Sequence, residues 1–94
     1  MPKATFQGET LAESDETVVV EGNHYFPPGA VKREFFEASE KTTHCPWKGD
    51  ASYLSVNVGG ESAPDAAWFY PDPMEKAENI RDHVAFLGKV EVTE

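Results

Sequence analysis

Ala51-Ser52-Tyr53-Leu54-Ser55-Val56-Asn57-Val58 runs into Gly59-Gly60, and Asp65-Ala66-Ala67-Trp68-Phe69-Tyr70 follows after a short gap. Alternation places Leu54, Val56 and Val58 on one side of the first segment and Tyr53, Ser55 and Asn57 on the other, the period of a strand. Glycine accepts positive φ, so Gly59-Gly60 predicts a reversal in which 65–70 returns as the antiparallel partner of 51–58. In that partner Trp68 and Tyr70 share a face and Phe69 takes the opposite one, toward the core.

The same reading extends outward. Ahead of the hairpin, the residues 42–50 (Thr-Thr-His-Cys-Pro-Trp-Lys-Gly-Asp) combine Pro46 and Gly49 and predict a shaped loop. Residues 30–39 mix helical and extended spacing, and one helical turn followed by a strand is expected. Further upstream, Thr17-Val18-Val19-Val20-Glu21 is β-branched almost throughout; Gly22-Asn23 turns it back through His24-Tyr25-Phe26 to the stop at Pro27-Pro28. Residues 4–13 read as two short strands bent at Gly8. Downstream, Asp72 starts a short helix ending near Asn79, and two final strands, 83–87 and 89–92, flank Gly88. Short strands with Gly and Pro between them argue a mostly β, antiparallel domain with one or two short helical turns, because parallel pairing needs longer crossovers.

At 94 residues the chain holds one domain, 1–94, whose small core draws on six Phe, three Tyr and two Trp. Eight Lys and Arg oppose seventeen Asp and Glu, for a formal charge of −9. The excess is acidic in both halves, which argues against nucleic acid and anionic membrane as partners and toward small molecules, with a protein partner also open. No apolar run approaches a spanning length, and no charged-then-apolar leader opens the chain, so a soluble, cytoplasmic protein is expected. Cys45 is the only cysteine, which excludes an internal disulfide; no structural metal is expected, and no particular cofactor is indicated.

Reactive side chains concentrate in 43–53. Cys45 is a candidate nucleophile if Lys48 or His44 favours its thiolate, against the common role of a lone cysteine as a buried hydrophobe. Lys48 and the backbone N–H groups near Gly49 suit an anion, against the plain alternative of a solvated lysine in a turn. Tyr25, Tyr53, Trp68 and Tyr70 come from neighbouring strands and suit a flat ligand held by stacking, against the alternative that all four fill the core. His24 and His83 lack an acidic partner at a ligand spacing. His44 adjoins Cys45, yet successive strand residues face opposite ways.

The strings 43–53 (Thr-His-Cys-Pro-Trp-Lys-Gly-Asp-Ala-Ser-Tyr) and 66–73 (Ala-Ala-Trp-Phe-Tyr-Pro-Asp-Pro), with 19–27 and 84–86, resemble the bacterial domain-of-unknown-function family number 427, which also carries a nucleotidyltransferase-like label. The resemblance implies a small β-tent, two antiparallel sheets meeting at an angle with a pocket between them. Related β-tent proteins include zinc-anchored modules, an aromatic-cage ligand-binding domain and methionine sulfoxide reductases. The paired Cys-x-x-Cys knuckles of the zinc-bearing members are missing here, and no carboxylate pair of the kind used in nucleotidyl transfer stands in the motif. The expectation is a recognition domain in which Tyr25, Tyr53, Trp68 and Tyr70 grip a partly flat ligand while Lys48 and Gly49 hold its anionic edge. The alternatives are a small enzyme using Cys45 with Lys48 or His44, and a protein-binding module.

Overall fold

The computed structural model describes residues 1–94. Its longest elements are β5 (Phe36–Cys45), β6 (Gly49–Val58) and β7 (Glu61–Phe69), and with β8 (Val84–Phe86) they form one sheet in the order β5-β6-β7-β8. A second sheet orders β2 (Glu9–Glu13), β1 (Lys3–Phe6) and β9 (Glu91–Thr93), while β3 (Val18–Val20) and β4 (Asn23–Tyr25) pair as a hairpin. All pairing within the sheets is antiparallel. That hairpin extends the large sheet beyond β8, because Phe26 and Val84 exchange backbone hydrogen bonds of 2.8 and 2.9 Å. The only helical pieces are 3₁₀ turns at Pro28–Ala30, Arg33–Phe35 and Glu75–Ile80. The mostly β, antiparallel reading therefore holds, and the segment 28–35 does turn helically before β5. No helix is long and apolar enough to cross a membrane.

The predicted loop over 42–50 is corrected. Thr42 to Cys45 continue β5, and Gly49 already pairs with Cys45, so only Pro46-Trp47-Lys48 turn the chain. Proline has no N–H for a ladder, but here it stands one residue past the ladder's end and breaks nothing. The return strand β7 also begins earlier than expected, at Glu61. It absorbs Pro64 in an irregularity opposite Ser55, where the Asp65 N–H donates to Ser55 Oγ at 3.1 Å. At the last turn Asp72 caps nothing; Met74 precedes the turn, with no side-chain cap.

The two faces of the large sheet differ. On one, Val56, Ala67, Val84 and Phe86 meet Ala4, Phe6 and Leu11 of the three-stranded sheet and Phe26, with Leu54 and Phe69 packed on the margin. On the other, Ala51, Tyr70 and Ala85 meet Tyr25 from β4 and Ala77 and Ile80 from the last 3₁₀ turn, with Cys45, Tyr53 and Trp68 at the margin. Of the predicted site residues, this second, smaller core holds Tyr25 and Tyr70, with Cys45, Tyr53 and Trp68 packed against it.

Candidate functional site

Strand parity brings the aromatic candidates together. Trp68 lies directly across from Tyr53, and their rings are 6.3 Å apart and tilted by 35°. Tyr25 meets Trp68 edge-on at 6.1 Å and 87°, and the Trp68 indole N–H donates to the Tyr25 hydroxyl at 3.1 Å. Tyr25 and Tyr70 are buried, whereas Tyr53 and Trp68 remain half-exposed. The predicted four-ring grip thus divides into two interior rings that support and two outer rings that face solvent. Lys41 Nζ stands 4.9 Å from the centre of the Tyr53 ring, within cation–π reach, a contact the sequence reading did not include. The Thr43 and Tyr53 hydroxyls are 3.3 Å apart.

Lys48 is the most buried charged residue, 6% exposed. Its ammonium forms an ion pair with Glu21, which leaves the β3–β4 turn to reach it. The same ammonium lies 5.3 Å from the Trp47 ring centre and 5.7 Å from that of Tyr70. Burial works against the charge, but the hydrogen bond that Lys48 donates to Glu21 and the fields of Tyr25, Tyr70 and Cys45 outweigh it and hold Lys48 above the usual lysine range. The Lys48 hydrogen bond in turn holds the Glu21 carboxyl below its usual value. Burial pushes the Tyr70 phenol up, with Lys48 pulling the other way. Lys48 is therefore a fixed cation, unsuited to act as a proton-abstracting base or an amine nucleophile.

The turn that carries Lys48 also fastens the following segment. The Lys48 carbonyl accepts from the Met74 N–H at 2.9 Å, and Gly49 is buried beneath Asp72–Met74 with φ of +113°. A side chain at 49 would meet Asp72 O at 3.5 Å and Met74 N at 3.6 Å, ordinary contacts, so its cost is backbone strain rather than collision. Gly49→Ala is expected to lower stability by roughly 1–3 kcal/mol, seen as a fall in the urea midpoint with an unchanged slope.

Of the two partners considered for Cys45, Lys48 stands within electrostatic reach of the thiol, while His44 is engaged elsewhere. His44 faces away from Cys45 and shares a 2.7 Å hydrogen bond with Asp50, both exposed. Cys45 is half-buried at the margin of the smaller core. His24 bonds Thr17 at 2.8 Å and Glu94 at 3.1 Å, and His83 bonds the Arg81 carbonyl at 2.9 Å. No three His, Cys, Asp or Glu side chains converge as a metal site.

Glu21 was missed as a member of the site. It lies 27 residues from Lys48, so no local spacing announces the pair; the family-like string around 19–27 was the one signal. Residues 2–94 match the family described as a domain of unknown function (DUF427). No curated protein matches the chain significantly.

Proposed function

The chain belongs to the DUF427 family, and for this member we propose a role in recognition: a small, partly flat ligand lies against Tyr53 and Trp68, its anionic or carbonyl edge toward Lys41 and the field of Lys48. The observation that carries this reading is the pair of half-exposed rings, 6.3 Å apart, braced from behind by the Tyr25 hydroxyl. Two aromatic faces backed by rigid neighbours lose little freedom on binding, and each offers apolar area to any planar partner. Lys41 already lies over one face of Tyr53, which leaves the other face for a ligand and favours anionic or neutral rings over cationic ones. Tyr25, Tyr70 and Lys48 act from the interior, fixing the rings and setting the local field. Gly49 fixes the turn.

The test is a fluorescence titration of a Trp47→Phe chain, in which Trp68 is the remaining indole. The probes are flat anions: nucleoside monophosphates and naphthoates. A saturable change in Trp68 emission is expected, weakened about fivefold to tenfold by Tyr53→Ala through loss of one ring contact. Emission that stays unchanged across all probes would overturn the reading.

A further inference from the structure

A hollow of about 450 Å³ opens on the opposite face of the large sheet, away from Tyr53 and Trp68. Val31, Phe36, Leu54, Phe69 and Val84 make its apolar lining, and Arg33 and Asp82 add the charged groups. The volume is in the range of small-molecule sites. Leu54 and Phe69 pack on the larger core yet are only half-buried, so the hollow is where that core reaches the surface.

The two charged groups are uncommitted. The ion pairs of the fixed cations engage the N-terminus, Lys48 and Arg81, and Arg33 is not among them. Arg33 is held in a 3₁₀ turn immediately before β5, so its backbone is fixed while its guanidinium keeps all its donors. Asp82 occupies the left-handed region at φ +58°, fixed by its N–H donating to the Tyr70 carbonyl at 3.1 Å.

We propose that this hollow binds a small amphiphilic monocarboxylate, its apolar body on Leu54, Phe69 and Val84 and its carboxylate on the Arg33 fork. Arginine meets a carboxylate through two parallel hydrogen bonds, a geometry that a surface lysine does not reproduce. The neighbouring Asp82 carboxylate disfavours a second negative charge on the ligand, which selects monoanions over dianions. This site stands independently of the aromatic face.

The experiment adds 3-phenylpropionate to the intact chain and follows the methyl resonances of Val31, Leu54 and Val84 by NMR. Saturable shifts at these methyls are expected, without movement of the Trp68 indole resonance. Arg33→Gln is expected to weaken binding by at least about tenfold, as is replacing the probe by its neutral amide. Arg33 is exposed, so the variant's free spectrum should match the parent's. The amide comparison needs no variant at all. Absence of methyl shifts at millimolar probe would overturn the site, and equal binding of acid and amide would overturn the carboxylate assignment.

Discussion

Lys48→Ala is expected to lower stability by roughly 2–4 kcal/mol, from the lost packing of a buried stem and the broken ion pair. Lys48 is 6% exposed and contacts Glu21 after β3, the Trp47 ring within its own turn and the Tyr70 ring after β7. Lys48→Met retains most of the stem and removes the charge, so the difference between the two variants separates packing from electrostatics. The charge-dependent part has a definite pH window. Glu21 is depressed below 4.5 in the fold, so its contribution is present above 4.5 and disappears as pH falls through the lower folded value. Lys48 is raised above 10.5, so its contribution is complete below 10.5 and disappears as pH rises through the higher folded value. Urea unfolding of the parent and Lys48→Met should therefore differ by a constant amount between about pH 5 and 10 and converge outside that window. A difference independent of pH from 3 to 11 would contradict the Lys48–Glu21 ion pair.

Phe26→Ala should have the largest effect of any single truncation considered, roughly 3–5 kcal/mol. Phe26 is 0% exposed, packs edge-on against Phe86 at 5.7 Å, and carries both backbone hydrogen bonds that join the β3–β4 hairpin to β8. In a domain of this size total stability is about 5–15 kcal/mol, so the midpoint of thermal unfolding should fall by roughly 15–30 °C. Val19→Ala, on the same hairpin but 58% exposed, is the control and should change little. If the two variants unfolded alike, the hairpin would be an appendage, and Tyr25 and Glu21 would lose the rigid mounting on which the aromatic face depends.

Period-two alternation made much of the molecule readable before folding. It placed Trp68 and Tyr70 on one side of their strand and Phe69 on the other, and the structure has them in different cores. Gly59-Gly60 marked a reversal that the ladder reproduces, while the one expected at Gly22-Asn23 falls a residue earlier, at Glu21-Gly22, with Asn23 already paired to Val20. The error over 42–50 came from treating Pro46 and Gly49 as breakers of a whole segment. A three-residue turn needs just such residues, and the strands can continue up to it on both sides. What lay on top of each face was beyond local reasoning. Tyr70 shares a side with Trp68 as its spacing requires, but the Ile80 turn packs with Tyr25 and Tyr70 and covers that end of the sheet. The Lys48–Glu21 pair and the Arg33 hollow both join residues distant in the chain, so only the pairing of strands reveals them.

The most direct test of the recognition proposal is an NMR titration of the intact chain with a nucleoside monophosphate, watching the Tyr53 ring protons and the Trp68 indole N–H together. Stacking predicts simultaneous, saturable upfield shifts at both rings, with Trp47 and the Leu54 and Val84 methyls unmoved. Shifts confined to Trp47 or to those methyls, or none at either ring, would contradict it.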